Sequence, residues 1–293
     1  MKKNLQVLSV LLAVAILSSC SSENKTDKQP PAQVTADTIT VEKAAELVLE
    51  SMPKPGDIPA TLDRVDAKFN SSLVNKPGKS SSYSAGTLKA AANLGIYSVD
   101  MGYMAIYKKT AEALKYAKDI QQLSEEVNIQ DVFNADMVKR IENNLDNPDS
   151  LRAINDEGIA KANFLMAKNG NTKEAILVGT GIFVEGLYIA SQLVATYPKD
   201  LPEETRTLVI TPLIHQIVDQ EAALGYLNTV LKSINNDKEV ADITAKMDDL
   251  AKAYKQLNVK ERLKTEKSGT VVTDQNLVNV TTKIKELREY LVK

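Results

Sequence analysis

The chain has 293 residues but one cysteine, one histidine, four phenylalanines and no tryptophan. A single thiol forms no intramolecular disulfide, so the fold must be held by its core. With one histidine, the usual base for a serine, threonine or cysteine nucleophile is nearly absent, and metal sites that need histidine from two helices are excluded. No glycine-rich phosphate loop follows a strand and no Gly-x-Ser-x-Gly elbow occurs. The formal charge of −2 offers no basic excess, which disfavours nucleic acid as a partner. Without tryptophan, a carbohydrate platform of stacked rings is disfavoured, although ten tyrosines leave it open. Long period-two alternation is missing as well. The one β-rich fragment, Gly269–Thr273, has no strand to pair with, and an all-α fold is expected.

What the chain does have is Glu174–Tyr197, apolar on every side of a helical projection with Glu185 as its only interior charge. Its length suits a bilayer span or the central helix of a helical bundle. Polar helical segments on both sides and interruptions at Gly179, Gly181 and Gly186 favour the central helix. Roughly 250 folded residues can bury a full core without metals or disulfides.

Met1–Ser19 follows the plan of a secretory signal: Lys2 and Lys3, an apolar run from Leu8 to Leu17, then small residues before Cys20. Leu17-Ser18-Ser19-Cys20 resembles the lipobox of bacterial lipoproteins, over about the first twenty residues only. The resemblance implies acylation of Cys20 as the first mature residue and a membrane partner reached through that lipid. Ser21, rather than Asp, implies the outer membrane, on its periplasmic or outer face. Loss of residues 1–19 takes away two lysines and no acid, leaving 34 basic and 38 acidic side chains, a net charge of −4. Ser21–Thr38, with Pro30-Pro31 and little to bury, reads as a disordered tether of roughly 25 Å typical reach.

Residues 39–293 read as one all-helical domain. Helices are expected at Thr40–Ser51, from Pro59 to about Val74, from Ala85 to about Val127 with a bend near Gly102, at Gln130–Leu145, and at Pro148–Lys168. Others follow at Glu174–Tyr197, from Glu203 to Ile234 with a cap or kink at Thr211-Pro212, and at Asp237–Leu257. Asn75–Ser84 is the clearest loop, Asn258–Thr273 is polar and poorly periodic, and Asp274 caps a last amphipathic helix.

Val99-Asp100-Met101-Gly102-Tyr103-Met104-Ala105 aligns with Val184-Glu185-Gly186-Leu187-Tyr188-Ile189-Ala190, 85 residues on. Leu145-Asp146-Asn147 resembles Ile234-Asn235-Asn236, and Ala160-Lys161-Ala162 recurs as Ala251-Lys252-Ala253. Matches in one order at nearly constant offset suggest a duplicated unit of three helices, 85–168 and 172–257, inside a helical bundle with extra helices at both ends. Helices rich in alanine and leucine also match by periodicity alone, so coincidence stays open.

Candidate ligand-binding residues are Asp100, Glu185, His215, Asp219, Tyr103 and Tyr188. His215 and Asp219 share a helix face at four-residue spacing, which serves a divalent metal or a polar ligand, or a simple hydrogen-bonded pair on the surface or in a groove. The imelysin-like family of duplicated helical lipoproteins carries Gly-x-His-x-x-Glu. Here Gln216, Ile217 and Val218 follow His215, and the motif is absent. Asp100 and Glu185 lie on the two most apolar helices, where a carboxylate needs hydrogen bonds, a cation or a proton, and Tyr103 and Tyr188 three residues on are candidate donors. No catalytic residue, metal or cofactor is assigned. The expectation is a non-enzymatic, envelope-anchored binding or scaffold module whose partner is an envelope protein or small molecule. The alternative is a small-molecule or metal site, enzymatic in the extreme case, in a groove of the bundle.

Overall fold

A computed structural model describes Lys54 and residues 56–293, apart from 65–66, 85, 198–201, 235–237 and 267. The signal segment, the tether and the expected helix at Thr40–Ser51 lie outside these residues. The described residues belong to one compact unit. The described elements are α1 (Asp57–Arg64), α2 (Thr87–Ile106), α3 (Thr110–Glu126), α4 (Ala135–Glu142), α5 (Pro148–Lys168), α6 (Thr172–Thr196), α7 (Glu203–Val218), α8 (Glu221–Ser233), α9 (Lys238–Tyr254), α10 (Val259–Arg262), α11 (Ser268–Val271) and α12 (Gln275–Leu291). Among the described residues there is no strand, and Gly269–Thr273 falls largely in α11.

The bundle is built on α2 and α6. Both are buried over nearly their whole length, so the stretch apolar enough to span a bilayer is packed inside protein. Their backbones meet at two glycines. A Cβ at Gly95 would fall 2.1 Å from the Val178 carbonyl oxygen, and one at Gly181 would fall 2.0 Å from that of Ala92. No side chain fits there, because backbone cannot yield as a flexible side chain can. The contact is reciprocal: Gly95 meets Val178 and Ile182, while Gly181 meets Ala92 and Ile96.

Boundaries depart from the periodicity in places that have local causes. The expected Ala85–Val127 helix is broken after Ile106, where Lys108 takes a φ of 54° that no helix continues. Glu203–Ile234 is likewise two helices, α7 and α8, with Pro212 inside α7 rather than at the break. The helix expected from Pro59 to Val74 stops at Arg64, and α4 starts at Ala135 rather than Gln130, with Asn134 accepting from the Met137 N–H. Each stretch read as a three-helix unit therefore holds four helices among the described residues, α2–α5 and α6–α9. α5 starts at Pro148 as expected, with Asn147 as its cap, and Asp274 caps α12 through the Asn276 and Leu277 N–H groups, also as expected.

The two stretches are covered differently. α5 packs along α2, whereas α12, not α9, lies along α6. Leu277, Val280, Ile284, Leu287 and Leu291 bury the stripe that holds α12 there.

Candidate functional site

Residues 67–84 cross α2 and α3 as a strap with little regular structure, so its backbone polar groups need partners outside it. Tyrosines supply them. Tyr107 donates to Ala67 O at 2.5 Å, Tyr103 to Asn70 O at 3.2 Å and Tyr97 to Lys76 O at 3.3 Å, while Tyr116 makes a short bond to Asn75 O. Phe69 packs against the Tyr103 and Tyr107 rings. The buried Asp119 accepts from the Gly78 N–H at 2.7 Å and from the Ser80 N–H and hydroxyl.

This strap delivers Asn75 to the two acids of the central helices. Five residues after Gly95 comes Asp100, and four after Gly181 comes Glu185, and the two carboxyls are neighbours. Both are fully buried. Asp100 Oδ2 accepts from the Asn75 backbone N–H and side-chain amide, each at 3.1 Å. Arg288 of α12 donates through Nε to Glu185 Oε2 at 3.0 Å and through Nη2 to Glu185 Oε1 at 3.1 Å. The same Nη2 reaches Asn75 Oδ1 at 2.8 Å, and the guanidinium lies 4.7 Å from the centre of the Tyr188 ring. Strap, both central helices and the last helix thus converge on one cluster.

Two acids and one arginine would leave a buried negative charge if both acids were ionised. Burial first, then the neighbouring Glu185, pushes the Asp100 carboxyl well above the usual carboxylate range, while Arg288 and the Asn75 N–H pull the other way and lose. Asp100 Oδ1, sealed from solvent, meets no donor. A protonated Oδ1 needs an acceptor instead, and the Glu185 carboxylate beside it is one. The cluster then carries one negative and one positive charge, which a largely buried site tolerates.

The sequence candidates separate. Asp100, Glu185 and Tyr188 meet in the cluster. Tyr103 does not reach its helix-mate Asp100, because its hydroxyl is taken by Asn70. His215 on α7 and Asp219 just after its end are exposed, and Asp219 pairs with Lys260 at 2.7 Å, so convergence of all four polar candidates on one pocket does not occur. Among the described residues no group of three or more His, Cys, Asp or Glu is placed to hold a metal. Asn75 and Arg288 are partners that sequence reading missed. Arg288 had a signal: it stands four residues after Ile284 and three before Leu291, on the apolar stripe of its helix. Asn75 had none, since only the path of the strap brings it there.

No protein-family model matches the chain, and neither the curated proteins nor the solved structures compared with it include a match.

Proposed function

We propose that the protein is a lipid-anchored helical module of the bacterial outer membrane that works by binding or scaffolding rather than catalysis. The observation that carries the non-enzymatic part is the fate of the reactive side chains. Asp100 and Glu185, both fully buried, are met by Asn75 and the largely buried Arg288, and the hydroxyls of Tyr97, Tyr103 and Tyr116 are spent on backbone carbonyls of the strap. A group whose hydrogen bonds are all used to close a fold is a poor acid, base or nucleophile. The anchor rests on Leu17-Ser18-Ser19-Cys20 and on the absence of any other cysteine.

The bundle arose, in this reading, by duplication of a four-helix unit, α2–α5 and α6–α9. Its support is the shared acid-x-x-Tyr register at an offset of 85 and the reciprocal glycine contact, in which Ala92, Gly95 and Ile96 correspond to Val178, Gly181 and Ile182 at an offset of 86. The copies then diverged by recruiting α12 to one side.

Metabolic labelling with an alkyne fatty acid tests the anchor: wild type should take up label and fractionate with outer membranes, and Cys20→Ala should take up none. Each buried acyl CH₂ contributes roughly 0.8 kcal/mol of membrane affinity, and nothing in the domain replaces it. Mature Cys20→Ala protein that still partitions into membranes would overturn the anchor. Turnover of a broad hydrolase panel by residues 39–293, abolished by changing His215 or Glu185, would overturn the non-enzymatic reading.

A further inference from the structure

The strap and α3 run side by side in the same direction. Ala67 is held by Tyr107, Asn75 by Tyr116, and Gly78 and Ser80 by Asp119. Lys115 and Lys118 each stand one residue before a side chain that holds the strap, Tyr116 and Asp119. Lys76 and Lys79 each stand one residue after a group that is held, Asn75 and Gly78. The seam between strap and helix is therefore flanked by lysines on both sides, and Lys108 and Lys109 continue the row at the start of α3. All six are exposed.

Nothing at the seam balances these charges. From Asn75 to Ser124 the chain holds seven lysines and three acids. Two of the acids, Asp100 and Asp119, are buried and taken by hydrogen bonds, which leaves Glu112 exposed, and Glu125 and Glu126 come only at the far end of α3. None of the six lysines is ion-paired with any described residue. In the second half of the chain, by contrast, Lys232, Lys238, Lys252, Lys260, Lys264 and Lys283 each lie 2.6–3.0 Å from a carboxylate. The formal net charge of −2 thus conceals a basic seam. Like charges held together on a folded surface repel, and an anion laid among them relieves the repulsion.

The residue types say which anion. None of the six is arginine, so the seam lacks the rigid fork that fits a single carboxylate or phosphate in a set orientation. Ammonium groups on flexible stems suit charges spaced along a chain. Lysine is depleted at protein interfaces. Phe69 already stacks on Tyr103 and Tyr107 with the Lys109 ammonium 5.1 Å from its ring centre, so it offers no free face to a nucleobase. From Lys109 to Lys118 the row rises roughly 14 Å along α3, long enough for several linked sugars.

We infer that the seam binds an anionic polysaccharide, a chain bearing carboxylate or comparable charges at intervals, laid lengthwise between Lys76 and Lys79 on one side and Lys115 and Lys118 on the other. Choosing a polysaccharide rests on the envelope location proposed above. Anchorage is read on Cys20 and polymer binding on the anchor-free chain in solution, so either can fail alone.

Titration of the mature chain carrying Cys20→Ala with oligogalacturonate and with its methyl ester tests the inference. The acid should bind saturably in low salt and weaken steadily as salt rises, and the uncharged ester should bind at least tenfold more weakly. The quadruple variant Lys76→Gln, Lys79→Gln, Lys115→Gln, Lys118→Gln should lose tenfold or more with an unchanged melting temperature. A charge-matched quadruple, Lys232→Gln, Lys238→Gln, Lys252→Gln, Lys264→Gln, should stay within twofold of wild type. Equal losses in the two quadruples, equal binding of the ester, or no binding of the acid in low salt would each overturn the proposal. So would tighter binding of phosphatidylglycerol vesicles or of duplex DNA than of the acid.

Discussion

Two arginines near the end of the chain each grip a glutamate through Nε and Nη2, and the surroundings make them different objects. Arg262 pairs with Glu266 at 2.7–2.8 Å and also reaches Asp274, but its partners include a glutamate on the surface. Arg288 pairs with Glu185 at 3.0–3.1 Å, and Glu185 has no exposed surface at all. Water competes for the bonds between Arg262 and Glu266 and for almost none of those of Arg288. Similar geometry therefore gives a screened local brace in one place and an obligatory clasp in the other.

Arg288→Ala should be the most damaging change, about 3–5 kcal/mol by urea denaturation, because it strands Glu185 without a cation and frees both α12 and Asn75. A loss no greater than that of Arg262→Ala would abolish the distinction. Glu185→Ala should cost about 1–3 kcal/mol by leaving the guanidinium donors unmet. Glu185→Gln should cost less, because Asp100 can then release its proton and serve as the anion. Thermal melts of the pair decide this, and equal losses would mean Asp100 cannot take that role.

Asp100→Asn should change stability by less than either, and with the opposite sign at neutral pH. Because the folded-state pKa of Asp100 is raised, its contribution is most favourable below the unfolded-state pKa and is lost as pH rises through the folded one. The amide mimics the protonated acid, so the variant should gain on wild type as pH rises and flatten the pH dependence. A steeper dependence in the variant would show that Asp100 is ionised. Arg262→Ala should have the smallest effect, and the part due to the surface pair with Glu266 should fade in high salt, where the Debye length shrinks. A salt-independent loss would place Arg262 in the same class as Arg288.

Those contrasts also mark where sequence reading reaches its limit. Helical periodicity made the all-α class, the central α6 and the ends of α5 and α12 legible, because apolar spacing and capping residues act within a few positions of the chain. Glu185 was legible as a buried acid for the same reason: nothing polar surrounds it on its own helix. The breaks at Tyr107–Lys109 and Asp219-Gln220 carried no proline or glycine, so periodicity ran across them. His215 and Asp219 lie at the surface, as the plain reading of their four-residue spacing has it, but Asp219 pairs with Lys260.

By itself the sequence determined that this protein is helical, is built around Glu174–Tyr197, and must find a partner for each of two buried acids. Tertiary structure alone decided who those partners are. Asn75 arrives on a strap routed by Tyr97, Tyr103, Tyr107, Tyr116 and Asp119, and Arg288 arrives on a helix 103 residues beyond Glu185. Local propensity has a range of one or two helical turns. Which distant cation meets a buried carboxylate depends on how whole helices pack, and that is set by the Gly95–Gly181 approach and the apolar stripe of α12 together.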